Sequence, residues 1–405
     1  MKILSGRPWL LIVFFLISNF FSSVAVSIGM YLIPWCISNT AGEPAFLATT
    51  AMFSALLILF LTPFIGKLID SLNRKSILIF ITIVILVLFL FLSLAKDNVL
   101  NRLYALICAY VFVQIYFAIF YTTRQGFIKD IFMESELFRI NAILEIESQS
   151  STLLAASLVI IFANSLTNTD IFMLLAGMVL ISLMMLMVIP YASKRITDRN
   201  NRQYSHPKLP PSFLKTDLFC YMAMGAIPFI CIMTINVIQA PFMNDVLLEP
   251  ISAYATYGII YGCGAILVGF ILGRISNHYS QCNLVVVFTS VFAITLGVIS
   301  LHPTLEFILV GGFFLGFCNS ASRISSHNLI LHEVDSAMIG RAFSYEQFFT
   351  LCGRIIATGL VPLMFANNYR QVWNYVFAIS MIAPIVLLFR RYLDKNTVVT
   401  NKEYG

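Results

Sequence analysis

Long apolar runs separated by short polar breaks dominate the chain. Read between the breaks, they predict helices over 9–37, 45–68, 77–95, 102–123, 140–163, 171–190, 217–240, 251–273, 283–301, 306–328, 343–366 and 372–390. A helix that crosses the hydrocarbon core of a bilayer takes roughly 20 apolar residues, and each run approaches or exceeds that length. The longest polar interval, Tyr191 to Asp217, falls near the middle of the chain and contains Pro207, Pro210 and Pro211. It reads as a linker. The expected fold is an all-α membrane protein of twelve transmembrane helices in two pseudo-symmetric six-helix bundles. The first bundle takes 1–190 and the second 217–391, with a linker at 191–216 and a tail at 392–405.

Composition agrees with this pattern. Of 405 residues, 59% are hydrophobic and 11% charged, whereas soluble domains carry about 25% charged residues. A soluble enzyme is excluded, as is a large extramembrane catalytic domain. The net charge of +6 is read for topology rather than for nucleic acid. With both termini inside, twenty of the 25 Lys and Arg face the cytoplasm and only Lys96, Arg102 and Arg370 lie outside. That bias predicts cytoplasmic termini in a bacterial inner membrane. Arg323 and Arg354 are left within the spans. Trp9, Trp35 and Trp373 fall at span ends, where an aromatic belt is expected. The eight Cys and five His show no metal-ligand spacing, so the cysteines read as small packing residues. No metal and no cofactor are expected.

An internal repeat supports two related halves. The loop after the second helix runs from Gly66 to Lys75, and the loop after the eighth reads Gly273-Arg274-Ile275-Ser276-Asn277, 207 residues later. Arg124, Arg139 and Glu145 recur as Arg323, Arg341 and Glu346, at offsets of 199, 202 and 201.

At these residues the chain resembles the major facilitator superfamily, whose signature after the second helix is G-x-L-x-D-(R/K)-x-G-R-(R/K). Gly66, Leu68, Asp70, Arg74 and Lys75 match it, while Ser71 and Asn73 depart. The run Thr123-Arg124-Gln125-Gly126-Phe127-Ile128-Lys129-Asp130, with Glu134, Glu136-Leu137 and Arg139-Ile140-Asn141-Ala142, looks like the corresponding run of the branch containing macrolide-efflux proteins and the enterobactin exporter. Gly340-Arg341-Ala342-Phe343-Ser344 is similar to that branch's G-R-V-F-S. Helix 5 lacks the Gly- and Pro-rich run of drug antiporters, reading Ser150-Ser151-Thr152-Leu153-Leu154-Ala155-Ala156-Ser157 instead. The resemblance implies a latch: Asp70 near Gly340 to Phe343, and Arg74 with Asp130. It also implies that helices 1, 4, 7 and 10 line a central cavity.

Ionisable groups inside a bilayer persist mainly where they are paired or line water, which singles out a few side chains. On helix 10, Asn319, Ser322, Arg323, Ser326 and His327 share one face. Arg323 either lines the cavity or snorkels to the phosphates. Helix 11 carries Glu346, Thr350, Arg354 and Thr358 at four-residue steps, with Arg354 near the midplane and in need of a partner. Helix 5 offers Glu145 and Glu147, which read either as partners of Arg354 and proton-coupling sites or as first-turn caps. Helix 1 places Asn19, Ser22, Ser23 and Ser27 together. Helix 4 adds Gln114, and helix 8 a stripe of Tyr254, Tyr257 and Tyr261, read as amphipathic-ligand contacts or as core packing.

The expected substrate contacts are Asn19, Gln114, Arg323, His327 and Arg354. Proton coupling falls to Glu145 and Glu147, and gating to Gly66, Asp70, Arg74, Lys75 and Asp130. The sequence contains no nucleotide-binding G-x(4)-G-K-(S/T) and no H-x(4)-D. It therefore reads as a monomeric secondary transporter in a lipid bilayer, exporting a small amphipathic or anionic molecule, siderophore-like chelator or drug, against protons. An uptake permease of the same fold is the alternative, and no nucleic acid partner is expected.

Overall fold

The computed structural model describes residues 8–41, 45–94, 99–131, 134–189, 217–275, 278–334, 339–367 and 371–386. All regular structure among them is helical. The helices are α1 (Pro8–Ala41), α2 (Ala45–Ser71), α3 (Arg74–Leu94), α4 (Val99–Ile131), α5 (Glu134–Ser165) and α6 (Asn168–Val188). They continue with α7 (Asp217–Pro241), α8 (Ile251–Ile275), α9 (Gln281–Leu301), α10 (Leu305–Glu333), α11 (Ile339–Asn367) and α12 (Gln371–Val386). A π-helical turn, Phe242–Val246, prolongs α7 past Pro241.

Lipid supplies no hydrogen bonds, so each crossing segment must satisfy its own backbone, and the helix does so. Among the described residues, eight helices are long and apolar enough to cross a membrane, and α2, α5 and α12 hold shorter apolar stretches. Several helices outrun their apolar runs. α4 reaches Ile131, α5 begins at Glu134 and α10 ends at Glu333, because polar residues such as Arg124 extend a helix as readily as apolar ones once it is nucleated. Where breaks are tight, side chains cap the next helix. Thr167 and Asp170 form a capping box at the start of α6, and Ser280 accepts the Asn283 amide at the start of α9.

The chain divides into two compact units, Met1–Ser205 with Leu248–Ile259, and His206–Leu247 with Ile260–Gly405. The linker at 191–216 lies outside the described residues. In the first unit α1 packs on α4, α5 and α6, while α3 packs on α4 and α6. In the second, α7 packs on α9, α10 and α11, and α9 on α10. The first helix of each half is thus the one surrounded by its siblings. Around α1 the core includes Phe15, Leu78, Phe127, Leu144 and Ile189, with the Phe15 and Phe127 rings 5.5 Å apart. Around α7 it includes Met222, Ile330, Val334 and Ala342.

The aromatic belt is corrected by two of its three tryptophans. Trp35 is 8% exposed and stacks on Tyr254, and Trp373 is 1% exposed with its ring edge-on to Phe242 at 5.7 Å. Each sits where one helix end meets another, so the ring is covered by protein before it can reach headgroups. Trp9 has no described side chain. The cysteines are all free, with Cys36, Cys231 and Cys318 buried as packing residues and Cys108 and Cys263 exposed.

Candidate functional site

The polar face of α1 finds partners on two helices. Asn19, Ser22 and Ser23 lie on one face because residues three and four apart share a face, and Arg124 of α4 and Glu147 of α5 converge on them. Arg124 Nη1 donates to Asn19 Oδ1 at 3.2 Å, and Asn19 Nδ2 donates to Glu147 Oε2. Ser151, one turn along α5, donates to Glu147 Oε1 at 2.9 Å, and Ser23 also bonds that carboxylate. Ser22 joins the hydroxyl of Tyr116 on α4. Asn19 therefore uses both ends of its amide to link a guanidinium with a carboxylate.

Arg124 is 6% exposed, lies over the Tyr121 ring at 5.0 Å, and keeps its buried Nε without a protein partner. A charge held in so apolar a bundle is tolerable only through such compensation. Among the described side chains of α5, the acid that meets α1 is Glu147. The Glu145 side chain lies outside the described residues. Gln114, also predicted as a contact, is buried in α4.

In the second unit the stripe on α10 is shared among three helices. Gly264 of α8 and Gly316 of α10 make the crossing possible, because a Cβ on either would stand 2.1 Å from a backbone oxygen of the other helix, Phe313 or Tyr261. That approach brings Asn319 Nδ2 to the Tyr261 hydroxyl at 2.7 Å. Arg323 is half-buried, with its guanidinium over Phe229 of α7 at 5.9 Å. Ser322 donates to the Gly225 carbonyl at 3.4 Å, and Ser326 faces Glu346 at 3.5 Å.

Sequence reasoning gave Glu346 as part of the polar face of α11 and as the repeat counterpart of Glu145, without naming a partner for it. The structure makes it the partner of His327, with Nε2 to Oε2 at 3.3 Å. A signal was available: Glu346 lies 199 residues after Glu147, the same interval as Arg323 after Arg124. The rest of the α11 face is less outward than its spacing suggested. Thr350 and Thr358 return their hydroxyls to the carbonyls of Glu346 and Arg354 on their own helix, each at 2.8 Å, while Arg354 itself is half-buried. On α8, Tyr254 and Tyr257 are core residues, Tyr254 packing against Tyr31 with ring centroids 5.3 Å apart.

The cations of the loop between α2 and α3 are held within the first unit. Arg74, 6% exposed, donates to the Gly126 carbonyl of α4, and a Cβ at Gly126 would come 2.7 Å from the guanidinium carbon. Lys75 Nζ donates to the carbonyls of Met187 at 2.8 Å and Ile189 at 2.7 Å, satisfying the end of α6. Asn73, a departure from the signature, accepts the Ser76 amide at 3.2 Å and so caps α3. The surroundings of Gly66 and the side chains of Asp70 and Asp130 are not among those described.

These polar groups can hold protons and charge; none forms an arrangement for covalent chemistry. The model of the Major Facilitator Superfamily matches residues 15–281 and 218–403. No curated protein matches the chain by sequence. Among solved structures, the chain is similar to a D-xylose-proton symporter, with TM-score 0.72, 11% identity and coverage of 92% of this chain and 96% of that one. It is also similar to a bacterial homologue of the iron transporter ferroportin in an inward-facing state, with TM-score 0.72, 12% identity and coverage of 96% and 99%. A bacterial homologue of the human lysosomal transporter Spinster gives TM-score 0.63 at 14% identity, covering 95% and 96%. Such identities speak for the fold alone. All-helical structure with long apolar spans and a family match across almost the whole chain converge: this protein is a multi-pass membrane transporter, not an enzyme, and it belongs to the major facilitator superfamily.

Proposed function

We propose that the protein is a proton-coupled exporter of a small amphipathic or anionic organic molecule, such as a siderophore-like chelator or a drug, working by alternating access. The observation that carries the reading is the chain from buried Arg124 through buried Asn19 to the part-buried Glu147. Protonating Glu147 would remove the charge that Asn19 and Arg124 compensate, giving the network two states that a proton can interconvert. Arg323, Arg354 and Gln114 supply substrate contacts, with the guanidinium forks suited to an anion. Asn19 and His327, each bonded to an acid, connect the substrate to proton binding.

Gly66, Asp70, Arg74, Lys75 and Asp130 form the gate, and the hold of Arg74 and Lys75 on backbone carbonyls makes the loop a rigid part of its bundle. The proposed setting is a bacterial inner membrane with both termini cytoplasmic and the protein acting as a monomer. Export is favoured by the resemblance of Thr123 to Asp130 and of Gly340 to Ser344 to an efflux branch. The second reading, uptake of a nutrient, is favoured by the Gly-free run Ser150 to Ser157 in α5.

Profiling small molecules inside and outside cells of a deletion strain and its parent separates the two. Export predicts a compound retained in the deletion strain and depleted from its medium. A compound left unused in the medium of the deletion strain would instead establish uptake.

A further inference from the structure

The two halves carry equivalent acids in unlike settings. Glu147 and Glu346 both lie on the fifth helix of their half, and the interval between them equals that between Arg124 and Arg323. In the first half the arginine reaches the acid through Asn19. In the second, α7 offers Gly225 instead of a polar bridge, and a Cβ there would stand 2.6 Å from Ser326 Cβ. Arg323 rests over the Phe229 ring, and the acid takes His327 as its partner. The His327 side chain is 43% exposed and that of Glu346 10%.

We propose that His327 and Glu346 form a second proton-binding site, with the half-exposed imidazole as the entry and the nearly buried carboxylate as the holder. Imidazole is the side chain best suited to this exchange near neutral pH. A proton from water binds Nδ1 of the ring, giving an imidazolium with N–H groups at both nitrogens. The Nε2 proton then passes to Glu346 Oε2, leaving a neutral imidazole and a neutral carboxylic acid. One bond breaks and one forms, and both charges of the pair vanish together, which favours the transfer where the dielectric is low. Ser326, 3.5 Å from Oε1, adds a polar neighbour to the second oxygen.

Among the described side chains, the charged groups nearest the pair on α10 and α11 are Arg323, one turn before His327 with Tyr261 of α8 beside it, Arg354, two turns beyond Glu346, and Glu333, further along α10. Glu306 and Arg274 stand exposed in the first turn of α10 and the last turn of α8, and the side chains of Arg341 and Asp217 lie outside the described residues. The surface α7 turns to Ser326 is glycine. The role in transport rests on the proton-coupled reading above, but the site itself can be tested without a substrate.

The full-length protein in liposomes is stepped from neutral to mildly acidic buffer while the infrared carbonyl stretch of protonated carboxyl groups is recorded. Two glutamate bands are expected, both displaced by carboxyl-13C glutamate in the unsubstituted chain. Glu346→Gln removes one band and leaves the other, which Glu147→Gln removes. Glu346→Asp moves the first band without abolishing it, so that a misfolded Gln variant does not decide the outcome. His327→Gln retains the Glu346 band but shifts its frequency and slows its rise after the step.

The proposal is overturned if Glu346→Gln and Glu346→Asp leave the spectrum unchanged, or if His327→Gln alters neither frequency nor rate. A failure of the coupling reading looks different. Transport driven by a proton gradient would survive Glu147→Gln, while the Glu346 band remained in place.

Discussion

Gly316→Ala tests whether the crossing of α8 and α10 is as close as the structure makes it. The new Cβ would lie 2.1 Å from the Tyr261 carbonyl oxygen, 2.9 Å from its carbon and 3.2 Å from its Cα. An unstrained C···O contact needs about 3.3 Å, so the helices must separate by about 1 Å. The obstructing atoms are backbone and cannot rotate away. Overpacking of this kind costs up to about 3 kcal/mol, and alanine returns about 1 kcal/mol of helix propensity. A net loss of about 2 kcal/mol corresponds to a fall in Tm of about 4–8 °C for a unit of this size. The melt can be followed, in a background whose other six cysteines are replaced by serine, with a thiol-reactive dye that labels Cys231 and Cys318, both buried in the second unit, as they become exposed. Gly177→Ala and Gly269→Ala are the controls, since nothing lies within 4 Å of a Cβ at either position. They should melt with the parent or slightly above it. If Gly316→Ala melts with Gly177→Ala, the reasoning fails, and the Asn319 to Tyr261 bond that depends on the crossing falls with it.

Arg74→Ala removes a charge-assisted bond to the Gly126 carbonyl and should cost about 1.5–3 kcal/mol, seen as a lower melting temperature; a parental melt would show that the contact contributes nothing. Asp70→Asn should abolish most transport while membrane insertion stays normal, as the latch reading requires, and full activity would reject the latch. For Arg323, Lys should weaken and Ala nearly abolish binding of an anionic probe such as salicylate, because an ammonium does not reproduce the guanidinium fork. The same comparison at Arg354 separates a substrate contact from a structural one, since a structural arginine lowers expression and melting temperature when removed.

The twelve helices were legible because apolar runs in lipid have one way to satisfy their backbone, and polar breaks mark where they stop. Their extensions past Thr123 and before Ile140 were not, since hydropathy registers the bilayer and not the helix. The site was legible as a list of unusual side chains and illegible as a set of pairings. Asn19 and Glu147 are far apart in sequence, and spacing along one helix gives no means of knowing that α1 delivers an amide between α4 and α5. The partner of Glu346 was overlooked for a related reason: the polar steps of α11 drew attention to that helix's own face, while His327 belonged to the stripe on α10. Gly264 and Gly316 carried no pattern at all, because a close crossing is a property of two helices together. Trp35 and Trp373 misled because a span end is also where helices meet one another.

The central claim is that Glu147, bridged to Arg124 by Asn19, couples a proton to transport. Glu147→Gln keeps the shape and one hydrogen-bonding oxygen while fixing the group in a neutral state. In proteoliposomes loaded with the solute identified by metabolite profiling, the variant should still exchange that solute across the membrane at equal concentrations, yet fail to accumulate it when a proton gradient is imposed. Accumulation at the parental level under that gradient would contradict the account.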